Sequence, residues 1–150
     1  MAKLQAVAGA MAAAVAIGDM AHARDASPIN DREVVGAWIL MITPAEREGL
    51  EINIEIDDGD LPLTITAQGG GRIACVLRGA AAPCRIDRGK LVIGMPTGSG
   101  AARMTFTLTD RTRDGFSGAV RMSVRFLPVG GHIGAVTMTR RQATPALPSR

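Results

Sequence analysis

The sequence is poor in the residues that most often carry chemistry. Among 150 residues there are two His, two Cys, one Trp, three Phe and no Tyr. Each scarcity excludes something. His22 falls in the leader segment read below, so a Ser-His-acid arrangement would have to use His132. That residue sits beside Gly130 and Gly131 in turn-like sequence, and no Gly-x-Ser-x-Gly elbow occurs. A zinc centre lacks ligands, because Cys75 and Cys84 are not spaced Cys-x-x-Cys and no His lies near them. Gly69, Gly70 and Gly71 are followed neither by Lys-Ser/Thr nor by a helical pattern, which excludes a phosphate loop. The acidic run 57–60 does not have the spacing of an EF-hand loop. Glu51, Glu55 and Asp57 alternate onto a solvent face, away from the apolar pocket a general acid requires. The expectation is a chain with no catalytic residue, no metal site and no cofactor, and so not an enzyme.

Aromatics are also missing from between the basic residues, which are nearly all Arg and scattered over several segments. That distribution lacks the stripe of positive charge with interleaved rings that nucleic-acid binding uses. No apolar run is long enough for a membrane helix either. The longest, residues 4–17, has 14 residues against the roughly 20 needed, and it is rich in Ala. Preceded by Met1-Ala2-Lys3 and followed by Ala21-His22-Ala23, it reads as a secretory signal cut after Ala23. Removing the first 23 of 150 residues leaves 127, enough for one domain. Lys3 and Asp19 leave with the signal, so the 17 basic and 14 acidic residues become 16 and 13 and the net charge stays +3. The expected organisation is a signal over 1–23, a flexible lead-in over 24–33, one domain over 34–141 and a disordered tail over 142–150. Export makes the lone cysteine pair a candidate disulfide, and the expected location periplasmic or secreted.

What is present is alternation. Residues 34–42 are apolar on both faces, with Val34, Gly36, Trp38, Leu40 and Ile42 on one side. Leu50, Ile52, Ile54 and Ile56 then alternate with polar residues, Asp57 to Asp60 supplies turn chemistry, and Leu61, Leu63, Ile65 and Ala67 form a return strand. Further strands are predicted over 72–78, 90–95, 103–109, 116–127 and 132–140, with 79–83 a small-residue loop leading to Cys84. In the longest strand Phe116, Val120, Met122, Val124 and Phe126 are expected to face inward. Eight candidate strands with turns between them predict an all-β, antiparallel up-and-down barrel. Their apolar inner face and polar outer face are the reverse of a membrane barrel, so an integral membrane protein is not expected.

Gly36-x-Trp38 in the first strand, the up-and-down series, and a last strand ending Val136-Thr137-Met138-Thr139-Arg140-Arg141 resemble the calycin superfamily, in particular short bacterial lipocalin-like domains. The resemblance covers residues 34–141. It implies that Trp38 packs across the barrel floor beneath a basic residue of the last strand, Arg140 or Arg141, with Gly36 beside them in a structural role.

Two functions fit. One is an exported carrier holding a small apolar ligand in the barrel, lined by Met104, Phe106, Phe116, Met122, Phe126 and Met138, with space left by the inward glycines Gly36, Gly118 and Gly134. The other is a protein-interaction module, such as a periplasmic protease inhibitor, contacting its partner through loops 43–49, 78–83 and 110–114.

Overall fold

The computed structural model describes residues 27–45, 59–96, 100–126, 128 and 130–142. After a one-turn helix α1 (Asp31–Val34) come nine strands: β1 (Gly36–Pro44), β2 (Leu61–Gly69), β3 (Arg72–Leu77), β4 (Ala80–Ala82), β5 (Cys84–Asp87), β6 (Lys90–Pro96), β7 (Ala102–Arg111), β8 (Gly115–Val124) and β9 (Gly130–Arg140). They form one antiparallel sheet in the order β4-β3-β2-β1-β9-β8-β7-β6-β5. Consecutive strands therefore lie side by side except β4 and β5, which end the order, and β9 returns to pair with β1, from Trp38 opposite Arg140 to Pro44 opposite Gly134. The sheet curls into a nearly closed up-and-down barrel.

The closure is made by Pro83. The two ends of the strand order, β4 and β5, are separated in the chain by this residue alone, and they are halves of one extended run that changes partner. Ala80 to Ala82 pair with β3, while Cys84 to Asp87 pair with β6. Proline has no N–H to offer a ladder, but its carbonyl accepts from Gly94 N at 2.8 Å. The Cys75–Cys84 disulfide, with Cα atoms 6.0 Å apart, ties β3 to β5 where no ladder joins them. Counting 80–87 as one interrupted strand gives eight. The segment 79–83, expected as a loop, is thus mostly wall.

Three hairpins turn on two residues that both have positive φ: Gly70-Gly71, Arg78-Gly79 and Arg88-Gly89. This is the geometry whose twist matches paired strands. The hairpin expected between residues 50–56 and 61–67 involves residues 50–56, outside the described residues. β2 itself pairs on one side with β1 over Leu61–Ile65 and on the other with β3 over Leu63–Gly69.

The inner face is a single apolar cluster running from Ile29 and Trp38 through Leu63, Leu91, Phe106 and Val120 to Met138, all almost fully buried. No described polar or charged residue is buried. No helix among the described residues is long and apolar enough to cross a membrane. The disulfide fits folding in an oxidising compartment.

Residues 27–34 are not a loose lead-in. Ile29 and Val34 are buried in the core, and Ile29 N donates to Gly89 O at 2.9 Å in the β5–β6 turn. Asn30 caps α1 in a capping box: its Oδ1 accepts from Glu33 N at 3.1 Å and Glu33 Oε2 accepts from Asn30 N at 3.0 Å. The segment crosses one end of the barrel and floors it. The expected signal over 1–23 lies outside the described residues, as does the tail beyond Gln142.

Candidate functional site

The floor is built around Trp38. Its position on β1 points the indole inward, where the ring N–H donates to Val34 O at 2.7 Å and the ring leans on Phe116 with centroids 5.6 Å apart. Of the two arginines that end the last strand, Arg140 covers the indole. It is the register partner of Trp38, and its Cζ lies 4.1 Å from the ring centroid. The same guanidinium donates to Val35 O at 3.2 Å and Glu33 O at 3.4 Å, carbonyls at the end of α1. Gly36 makes room for it. A Cβ there would overlap Arg140 Nη1, and its φ of +138° belongs to glycine.

Arg111, at the end of β7, fastens the other side. Its Nη2 donates to Glu33 Oε2 at 2.7 Å and to Pro28 O at 2.9 Å, and Nη1 donates to Ser27 O. Two arginines, from β7 and β9 on either side of β8, thus hold one short segment by its carbonyls and by the Glu33 carboxylate. Neither guanidinium is spare for chemistry, since each already holds main-chain oxygens.

Above these clamps an open groove of about 800 Å³ runs between α1, the β7–β8 turn and the end of β9. Thr112, Arg113, Asp114 and Gln142 form its exposed rim, with Trp38 and Phe116 at its base. A groove of this kind offers charge and hydrogen bonds of both signs along its edge and aromatic faces beneath. That mixture suits a polypeptide better than a purely apolar molecule.

The residues expected to line a ligand site separate. Met104, Phe106, Phe116 and Met138 are buried in the core cluster, and Met122 packs against it partly buried. Phe126 is not inside. β8 ends at Val124, Phe126 takes φ +69° in the following turn, and the residue is 93% exposed, with the Arg125 guanidinium 5.5 Å from its ring centroid. The alternation of Phe116 to Val124 continues in the sequence two residues past the strand's end. Nor do the inward glycines open space. A Cβ at Gly118 would strike Thr107 O and one at Gly134 would strike Thr43 O, so both serve the close approach of adjacent strands.

The three loops expected to meet a protein partner lie at two ends. Residues 112–114 belong to the floor, whereas 78–79 turn at the opposite end, and of 43–49 only 43–45 are described. His132 is exposed on β9 opposite Arg121. Among the described residues no group of three His, Cys, Asp or Glu side chains could hold a metal ion. The floor groove itself was not anticipated. The signal that could have found it is the capping-box spacing Asn30-x-x-Glu33, which marks an ordered helix start where a flexible segment was expected.

No protein-family model, no curated protein and no solved structure matches the chain.

Proposed function

We propose that this chain is an exported, non-catalytic binding module that engages a polypeptide partner at its floor groove. The observation that carries the reading is the filled interior. Four of the six expected ligand-lining residues are packed into the core with 5% exposure or less, and a fifth seals its edge. An eight-stranded barrel either fills with side chains or holds one small ligand, and the packing of Trp38, Phe106 and Met138 favours the first. Recognition then falls to the surface, where the floor groove sets a polar rim over an aromatic base. Export is supported by the leader pattern and by the disulfide.

The test is site-specific photo-crosslinking in the exporting cell from positions 112 and 142, with position 78 at the opposite end as control. A discrete protein adduct from both groove positions, absent from the control and lost on Arg113→Glu, is the expected result. Adducts of equal strength from all three positions would contradict it.

One observation favours a second reading, a small apolar ligand seated at the end opposite the floor. Met95, Met104 and Met122 are successive register partners across β6, β7 and β8, and Met95 and Met122 are only partly buried. Such a row gives a soft, adaptable apolar surface. Quenching or stabilisation by a fatty acid or similar probe, abolished by Met122→Glu, would support it.

A further inference from the structure

The outer wall formed by β1, β9 and β8 departs from the rest of the surface. Protein surfaces are about 25–35% charged. Between Arg121 on β8 and Arg140 on β9, the outward positions of these three strands, from Ala37 and Ile39 on β1 to Ser117 and Ala119 on β8, carry no charge, and Asp110 on β7, the register partner of Ser117, stands at their border. Elsewhere the net charge of +3 is displayed as exposed arginines.

Within this wall two features have matching shapes. Met41, outward on β1, is 51% exposed. Over β8 runs a furrow of about 410 Å³, floored by the small residues Ser117, Gly118 and Ala119 and rimmed by Thr107 on β7 and Thr137 on β9. The knob and the furrow lie on one cross-strand row. Met41 is the register partner of Thr137, and Thr137 is the register partner of Ser117. They sit one strand either side of β9, about 10 Å apart at the usual strand spacing.

We infer that the chain pairs with a second copy of itself through β1, β9 and β8, each copy seating Met41 in the β8 furrow of the other. A two-fold axis lying over β9 and parallel to it carries β1 of one copy above β8 of the other and the reverse, so one row supplies both halves of an isologous contact. Thr137 of each copy then faces Thr137 of its mate. Charge selects this wall for self-association. Any wall bearing exposed arginines would set like charges against each other across the axis, whereas here nothing repels. The charge bordering the furrow is Asp110, which accepts from the Thr109 hydroxyl at 3.0 Å. A contact three strands wide is small, so the pair is weak and concentration-dependent rather than obligate. The floor groove lies at the end of the barrel and stays open in this arrangement.

Sedimentation equilibrium on the purified, disulfide-bonded chain tests the inference, over about 1 µM to 1 mM, the range in which weak association is visible. The wild type should shift from monomer toward dimer mass. Met41→Glu sets a carboxylate against Asp110, and Ala119→Arg fills the furrow; each should weaken the dimer about tenfold or more. An equimolar mixture of the two variants should recover it, because one contact then becomes an ion pair and the other is wild type. Val76→Glu, an exposed apolar position on β3 away from the row, should change nothing. Thermal melts check that each variant folds. As an independent readout, Thr137→Cys should oxidise readily to a covalent dimer while Val76→Cys should not. A wild type monomeric throughout, a dimer indifferent to both variants, a mixture that does not recover, or equal oxidation at positions 137 and 76 would each overturn it.

Discussion

Trp38 and Arg140 are register partners at the floor of the barrel, the guanidinium lying 4.1 Å over the indole while both side chains reach carbonyls of the segment that closes the floor. The pair joins the first strand, the last strand and the N-terminal segment at one point. Replacing Arg140 by Ala removes a cation–π contact and two hydrogen bonds together, an expected loss of about 1–3 kcal/mol in denaturant melts. Arg141→Ala, at an exposed position beyond the strand, should stay within about 0.5 kcal/mol. Gly36→Ala should cost as much as losing the arginine, since its Cβ takes the guanidinium's place at a φ that disfavours alanine.

Arg111 should control the order of the N-terminal segment without controlling the barrel. Its pair with Glu33 is partly exposed, with 22% and 35% of the two side chains accessible, so a modest value applies. Arg111→Ala is expected to lower stability by about 1–2 kcal/mol, the range for a bidentate, partly screened contact with added main-chain acceptors. Hydrogen exchange should speed up at the Ile29 amide, which bonds Gly89 O, and little at the Phe106 amide in β7. Equal acceleration at both would mean the segment and the barrel open together.

The disulfide closes a short span, with the cysteines nine apart in sequence. Cys75→Ser with Cys84→Ser should therefore destabilise by somewhat less than the ~3 kcal/mol associated with a fifteen-residue loop. Because β4 remains laddered to β3 and β5 to β6, the circular dichroism of the barrel should be retained. Faster exchange should be confined to β3 and β5, on either side of the missing ladder.

The interior and exterior phenylalanines should behave as opposites. Phe106 is fully buried, and Phe106→Ala should cost about 3–5 kcal/mol by creating a cavity. Phe126 is exposed, and Phe126→Ala should change stability by no more than about 0.5 kcal/mol. Comparable losses at both sites in urea melts would put Phe126 in the core after all.

Most of the wall was legible because its strands obey strict alternation: Leu61, Leu63 and Ile65 alternate with Pro62, Thr64 and Thr66, Met104, Phe106 and Leu108 alternate with threonines, and each set is buried. Two stretches were not legible, for physical reasons. Ala80 to Ala82 lack branched side chains and precede a proline, so they read as loop; their strand conformation comes from pairing with β3 and from the bond between Pro83 O and Gly94 N. Phe126 continues the period of its strand in sequence, but the chain turns at positive φ one residue after Arg125, and periodicity carries no mark of where a strand stops. At the floor, Gly36 and Trp38 were readable as a pair. The arginine above them was narrowed only to Arg140 or Arg141, because one residue of register decides which side chain points inward. Arg111 falls in sequence within the loop 110–114, since its contact with Glu33 spans 78 residues and leaves no local trace.

Native mass spectrometry of the protein isolated without denaturation from the cells that make it tests the solid-core, surface-binding reading most directly. The expected spectrum shows the disulfide-bonded chain with no small-molecule adduct, alone or in complex with protein. A retained apolar molecule, released only on unfolding, would contradict it and place function inside the barrel.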